Sequence, residues 1–469
     1  MFICAVTYGE LDEVVRCVFN NKRLIMTINR REALALSIET FLMTNARRVK
    51  AQDLSGRTVI VVGAGLAGLT AAQRLQSQGA KVVVLEAGNY IGGRVRTDRS
   101  LGAPFEFGAG WIHGAVSKNP TKRLADQIGA ETFVTDDENL EVFNADGDFL
   151  SDAQWDRFDG LYEELEEAFY ESVQPGELSI KDMLARTNPA LLKDPLARWM
   201  ISAFFEFDIG AGNENISAKN GFQTGEFPGA DVIFTQGYDV IITPLAKGLD
   251  IRLNTPVSEI WYNGDGVEVD GQWADYAVCT APLGVLKAGR ITFDPPLPVA
   301  KQKAITEVGF GTVTKIALKF SDPFWDTATQ YFGIFTEPDG RWNYWQNYRT
   351  FSDENILLGL SVGAYAPVAD RMNKNEMTAD ALDVLRSVWG QDVGTPQAVM
   401  KTSWSQDPNF YGAYSYPQVG GSIAQFRDLW EPVQERLFFA GEHTLFEHAG
   451  TTHGALMSGR RAADAILGL

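Results

Sequence analysis

The sequence predicts an α/β fold containing a dinucleotide-binding unit, and three observations between residues 59 and 86 predict it. An apolar strand, VIVVG, runs into three glycines at G-x-G-x-x-G spacing, Gly63, Gly65 and Gly68, and a second apolar strand, KVVVLE, ends in an acid. Gly63 permits the tight turn, Gly65 lets a pyrophosphate approach the backbone, and Gly68 lets the helix beginning near Leu66 pack closely on the sheet. The N-terminus of that helix offers unpaired N–H groups to phosphates. Glu86 stands eighteen residues beyond Gly68, where a carboxylate accepts hydrogen bonds from a ribose 2′-OH, so a ribose without a phosphate is favoured. A glycine-rich turn in an ordinary α/β unit is the alternative reading.

The stretch that follows, AGNYIGGRVRTDRSLGAPFEFGAGWIHG, brings another glycine pair, Gly92 and Gly93, ahead of Arg94 and Arg96. Guanidinium groups bind phosphate oxygens bidentately, so this pair suits a second anionic contact. The glycine motif alone does not separate NAD from FAD. Further on, DAQWDRFDGLYEELEEAFYESV reads as an amphipathic helix with Trp155, Phe158, Tyr162, Leu165 and Phe169 on one stripe and a solvated acidic face. The acids Asp136 to Glu138 are candidates for a rim. GYDVIITPLAKGLDIRLNTPVSEIWYNGDGVEVDG holds a helix, a strand and an NGDG hairpin signal. In VTKIALKF, Lys315 and Lys319 lie on one face of a strand, and alternation does not separate them.

Size and composition bound the rest. With 469 residues, 45% of them hydrophobic, the chain has material for two or more domains with sizeable cores. Forty-one basic against 60 acidic residues give a net charge of −19, which argues against nucleic acid and agrees with a cationic ligand without requiring one. Three cysteines (Cys4, Cys17, Cys279) and four histidines show neither a disulfide framework nor metal-ligand spacing. No apolar run reaches the roughly 20 residues of a membrane span, so integral membrane association is not expected; oligomeric state is left open. After Met26, TINRREALALSIETFLMTNARRVKAQ is similar to a twin-arginine export signal, with Glu39 interrupting its apolar region. As a working signal it implies a periplasmic protein; otherwise the protein is cytoplasmic.

The runs GAGLAGLTAAQRL, LEAGNYIGGRVRT and GAGWIHG, then APLGVLKAGRITFDPPLPVAKQKAITEVGFGTVTKIALKFSDPFW, WSQDPNFYGAYSY and LFFAGEHTLFEHAGTTHGALMSGRRAADAIL, resemble the flavin-containing amine oxidases. The likeness is greatest to the polyamine oxidases of the spermine and N1-acetylpolyamine type, with relatives among monoamine oxidases, histone lysine demethylases and L-amino-acid oxidases. It runs from about residue 55 to the C-terminus. It implies a Rossmann-like FAD-binding domain of the glutathione-reductase type, residues 55–134, 230–308 and 415–469, interleaved with an α+β substrate-binding domain, residues 135–229 and 309–414. Residues 1–54 remain as an extension.

By the same resemblance FAD is held non-covalently, because Ala413 stands where monoamine oxidases carry a flavin-linked cysteine. The implied cofactor residues are Gly63, Gly65, Gly68, Glu86, Gly93, Arg94, Gly110, Trp111, Val257, Trp404, Glu442, Thr451 and Thr452. Lys315 is placed at the flavin edge, His113 and Tyr414 beside the reacting amine, and Thr451 where monoamine oxidases have a second cage tyrosine. His113, Tyr414, Thr451 and Glu206 are the implied substrate contacts, with Asp208 competing for the place of Glu206. The implied reaction passes hydride from an amine α-carbon to flavin N5, with dioxygen as reoxidant, giving aldehyde, amine and hydrogen peroxide. An L-amino-acid oxidase, or a demethylase-like or redox-inert binding protein on the same fold, are the alternatives.

Overall fold

The computed structural model describes residues 53–170 and 177–469, and before them the backbone of three strands, Ile3–Thr7, Val14–Phe19 and Lys22–Thr27, which pair antiparallel in that order. Met1–Gln52 and Asp53–Leu467 are separate compact units. Of the segment similar to an export signal, residues 28–52 lie outside the described residues.

A five-stranded parallel sheet forms the base of the larger unit, in the order Asp250–Arg252, Lys81–Leu85, Thr58–Val62, Tyr276–Cys279, Leu437–Phe439. Its strands come from three well-separated stretches of chain. The inner strands are apolar along nearly their whole length because both faces are covered, whereas the edge strand Asp250–Arg252 is charged and exposed. Val59, Val61, Val82 and Val84 face the helices, while Ile60, Val62, Val83 and Leu85 face a four-stranded sheet containing Glu259–Tyr262 and Val267–Val269. The NGDG signal closes the hairpin between those two strands, with Asn263 Oδ1 accepting from the backbone N–H of Asp265 and Gly266.

The helix Leu66–Ser77 crosses over from Thr58–Val62 to Lys81–Leu85 and packs on the C-terminal helix, Thr452–Leu467. The fit is close because small residues meet: a Cβ at Gly459 would lie 2.2 Å from the carbonyl oxygen of Ala67.

A second, six-stranded sheet runs Leu140–Phe143, Tyr331–Ile334, Tyr344–Asn347, Ile356–Ser361, Thr314–Lys319, Ala398–Lys401; its first pair is parallel and the others antiparallel. The helix Lys374–Trp389 covers one face, packing on Ile316, Leu318, Phe332 and Trp345. Asp152–Tyr170, Ile180–Thr187 and Pro195–Met200 cluster with Val313, Tyr331, Tyr344 and Leu360 instead. In Asp152–Tyr170 the buried residues are Leu161, Leu165 and Phe169, with Phe158 and Tyr162 half-buried, so the apolar stripe includes Leu161 and leaves Trp155 largely at the surface. Pro195–Met200 continues into a π-helical stretch, Ile201–Glu206, and a last turn, Phe207–Ile209. Among the described residues no helix is long and apolar enough to cross a membrane.

The helix contact is directly testable. Gly459→Val forces the two helices apart and is expected to cost about 1–3 kcal/mol, measured as an earlier midpoint of urea unfolding.

Candidate active site

A cavity of about 850 Å³ runs from the carboxyl ends of the parallel strands towards the six-stranded sheet, the position where open α/β sheets bind ligands. At its first end the three motif glycines divide their work. Gly63 has φ +102°, and a Cβ there would sit 2.6 Å from Thr280 Oγ1; a Cβ on Gly68 would sit 2.0 Å from the carbonyl oxygen of Gly63. Both are needed by the fold. Gly65 faces the cavity, and the nearest atom to a Cβ on it is 4.0 Å away, so its missing side chain leaves room for a ligand.

Gly65 is also the N-cap of Leu66–Ser77 and supplies no side-chain cap, so the first N–H groups of that helix remain available to phosphates. The Glu86 carboxylate lines the cavity and accepts from the N–H of Ala64 and Gly88, both at 2.7 Å. Gly93 and Val257 line it too.

The two arginines separate. Arg94 lines the cavity and donates to Glu442 Oε1 at 2.8 Å and to the Ala413 carbonyl at 2.6 Å. Arg96 does not reach the cavity: its guanidinium lies over the rings of Tyr90 and Phe107, 4.7 and 4.6 Å from their centroids. The expectation of an anion contact at Arg96 is therefore corrected to cation–π packing. Glu442 is buried and also accepts from Ser415 and the N–H of Gly450. Burial raises its carboxyl, but Arg94 and the hydrogen bonds outweigh that and hold it below the usual range.

Midway, the backbone of residues 107–110 forms one wall. Lys315 Nζ donates to the carbonyls of Gly108 at 2.6 Å and Glu106 at 3.2 Å, and Trp404 Nε1 donates to that of Phe107 at 2.7 Å. Burial lowers the Lys315 ammonium from its ordinary range, opposed by the charge of Glu106. Lys319, on the same strand face, is spent on Glu354 and the Leu101 carbonyl. Gly110 and Trp111 line the cavity, and a Cβ on Gly110 would lie 3.6 Å from Lys315 Nζ.

Opposite stand Thr451 and Thr452. Thr451 Oγ1 accepts from the N–H of Gly454, capping the C-terminal helix, and Thr452 Oγ1 is joined to the Tyr238 hydroxyl at 2.8 Å. The Tyr414 hydroxyl donates to the Phe207 carbonyl, which fixes its ring as a wall.

The far end is acidic and aromatic. A small antiparallel sheet pairs Val232 with Ile112, which sets Asp231 beside His113; Asp231 Oδ2 meets His113 Nδ1 at 2.6 Å. Burial lowers the imidazole's pKa, but the bond and charge of Asp231 outweigh it and the result is raised. Asp137 and Asp208 also face this space, between walls made by Tyr162, Phe207, Tyr331 and Tyr344. Asp208 is open to the cavity, and desolvation by the enclosing walls, with the nearby carboxylates of Glu226, Asp231 and Asp137, pushes it up to about 7 against the opposing charge of His113; its carboxylate meets no hydrogen-bond donor among the described residues.

Glu206 does not line the cavity. It is buried behind it, accepting from the N–H of Asn213, with Gly363 closing over it. Residues two apart on a helix point about 200° away from each other, so only one of the two acids can face the ligand, and it is Asp208. The expected role for Glu206 is corrected accordingly. Sequence reading missed Asp231 and Glu106. Pairing between distant strands places Asp231, and no short-range pattern carries that information.

The flavin containing amine oxidoreductase family model matches residues 66–467. Polyamine oxidase 2 of Arabidopsis thaliana is 33% identical over 435 residues, covering 87% of this chain and 87% of that protein. Lysine-specific histone demethylase 1B of Mus musculus is 30% identical over 488 residues, covering 96% of this chain but only 58% of the demethylase. Among solved structures, wild-type putrescine oxidase bound to putrescine has a TM-score of 0.70 at 22% identity, covering 87% of this chain and 98% of that one; this likeness is one of fold.

The division of labour among the glycines predicts two different failures. Gly65→Val is expected to leave the unfolding midpoint of the ligand-free protein unchanged and to abolish retention of a flavin chromophore. Gly68→Val is expected to lower that midpoint itself. Both follow from purified protein by absorbance and denaturant titration.

Proposed function

The chain belongs to the flavin-containing amine oxidoreductase family and is an FAD-dependent amine oxidase, and from that premise we propose that its substrates are polyamines. The observation that carries this reading is the Asp208 carboxylate, facing the cavity with Asp137 and Asp231 nearby and with no donor of its own among the described residues. Such a group lacks a partner that a distal ammonium would supply.

The residues present fit FAD. Gly65 and Gly93 leave the backbone bare, the Leu66–Ser77 N-terminus is uncapped, and Glu86 and Val257 lie along the same end of the cavity. When bound, FAD supplies the hydride acceptor, and its reoxidation by dioxygen yields hydrogen peroxide. The chain's own residues bind and orient. Lys315 holds a proton on Nζ between two carbonyls, and an ammonium so placed stabilises negative charge developing on oxygen. His113, fixed through Nδ1 by Asp231, has Nε2 left to hydrogen-bond a substrate nitrogen. Trp404 and Tyr414 form aromatic surfaces that attract a cationic amine, at about 0.5–2 kcal/mol per favourable contact. Tyr331 and Tyr344, stacked with centroids 5.1 Å apart, extend an apolar wall for a methylene chain.

An amino-acid substrate needs a cation for its carboxylate. Among the described residues, the Lys and Arg lining the cavity are Arg94, bonded to Glu442, Arg290, bonded to the Tyr411 hydroxyl, and Lys315. None is an arginine at the Asp208 end, which favours the polyamine reading over an amino-acid oxidase.

Anaerobic addition of spermidine, spermine or putrescine is expected to bleach the flavin band near about 450 nm, whereas amino acids leave it unchanged. Lys315→Met is expected to retain FAD and to slow flavin reoxidation by about 10²-fold, followed by stopped-flow absorbance; unchanged rates would remove Lys315 from its role. Because desolvation by the enclosing walls pushes Asp208 up to about 7, it binds cations only once deprotonated. KM for spermidine is therefore expected to fall as pH rises through that value. Asp208→Asn is expected to flatten this dependence and raise KM about tenfold, with little change for a monoamine.

A further inference from the structure

Glu106 is nine-tenths buried and does not line the cavity, yet it sits where three cavity-facing elements meet. It ends the hairpin Thr97–Asp98/Phe105–Glu106, opposite Thr97. Its own carbonyl takes one of the hydrogen bonds that hold Lys315 Nζ. Its carboxylate accepts from Thr97 Oγ1 and from the N–H of Tyr238, each at 2.7 Å. The Tyr238 hydroxyl in turn meets Thr452 Oγ1 and the Trp111 carbonyl.

Both donors to this carboxylate are neutral. A buried carboxylate served only by neutral donors is unfavourable, and a countercharge is needed to retain it as an anion. Arg99 is committed to Asp239 and the Gln236 carbonyl, and Lys319 to Glu354. Among the described residues near Glu106, Lys315 is the buried cation that remains, its Nζ bonded to the Glu106 carbonyl, and the charges of Glu106 and Lys315 act on one another.

We infer that Glu106 is a positioning residue that supplies the buried countercharge for Lys315, keeping it an ammonium between the Glu106 and Gly108 carbonyls. The inference rests on the reading of Lys315 as the charged group at the flavin. The other ionisable groups acting on or touching Glu106 are Arg99 just past its hairpin partner, Tyr238 and Asp239 from the 238–241 turn, and Tyr348, with Asp98 next in the hairpin and opposite Phe105. Burial raises both phenols far above neutrality, Arg99 stays charged, and Asp98 is held low by its bonds to Ser100. Glu106 and Lys315 are therefore the pair that titrates between neutral and mildly alkaline pH. Deprotonation of Lys315 removes the positive charge, so the competent form is lost as pH rises, and Glu106 delays that loss.

The test uses the FAD-loaded enzyme and two readouts across pH: the rate of flavin reoxidation and the position of the bound flavin's visible band. Wild type is expected to show an alkaline transition in both, and Lys315→Met to lack it. Glu106→Gln is expected to retain FAD and to move the transition to lower pH by about one unit, and Glu106→Asp, which keeps the charge but holds it further from Lys315, to move it measurably in the same direction by less. A transition that persists in Lys315→Met overturns the reading of Lys315, and the inference with it. A transition that vanishes in Lys315→Met but stays in place in Glu106→Gln overturns the countercharge role alone. If Glu106→Gln does not fold, Glu106→Asp decides: it retracts the charge by one methylene, and an unmoved transition overturns the inference.

Discussion

Burying a carboxylate costs several kcal/mol unless charge and hydrogen bonds answer it, and the Glu442 carboxylate is answered from three directions. Arg94 comes from the glycine-rich stretch near the N-terminal side of the fold, Ser415 from a short strand, and Gly450 from the turn before the last helix. Arg94 and Glu442 are 348 residues apart in sequence. Removing one partner of such a pair leaves an uncompensated charge and costs about 3–5 kcal/mol, so the three stretches are held in one arrangement. That arrangement fixes the middle of the cavity: Arg94 also grips the Ala413 carbonyl, next to Tyr414, and Gly450 leads directly into Thr451 and Thr452.

Around this pair the walls are made largely of backbone. The Lys315 ammonium and the Trp404 indole both donate to carbonyls of residues 106–108. A Cβ at Gly108 would lie 1.7 Å from the carbonyl oxygen of Arg94, so this segment and the arginine segment lie in contact, chain against chain. Side chains therefore decide what is bound at the acidic end, while the end that holds the dinucleotide depends on side chains being absent.

The parts of this site that sequence reading found are those whose chemistry is local. A strand, a turn glycine, a helix start and an acid within thirty residues specify the Gly63–Glu86 unit, because each constraint acts over a few bonds. The choice between Glu206 and Asp208 was not legible. Both lie in an acidic and aromatic run, and the π-helical stretch Ile201–Glu206 alters the 3.6-residue register on which a prediction of facing would rest. Arg96 was misread for a related reason: it follows the same glycine pair as Arg94 and carries the same chemistry, but the chain turns there and sends its guanidinium to Tyr90 and Phe107. Asp231 and Glu106 owe their roles to partners more than a hundred residues away. Lys315 could be told from Lys319 only by resemblance, since both leave the same strand on the same side and differ in what awaits them.

The pairing of the first dinucleotide-binding helix with the last helix of the chain has a consequence for biosynthesis. Gly459 meets Ala67, and Glu442 meets Arg94, so neither contact exists until residues more than 340 positions further along have left the ribosome. At about 5–20 residues per second, roughly 20–80 s separate the emergence of Gly63 from that of Thr452. Throughout that interval the glycine-rich turn is already made while the opposite wall of its site is still untranslated. The wall built by Glu442, Thr451 and Thr452 is thereby the last part of the site to be supplied, and the cavity has both its sides only once Arg94 can meet Glu442 and Ala67 can meet Gly459.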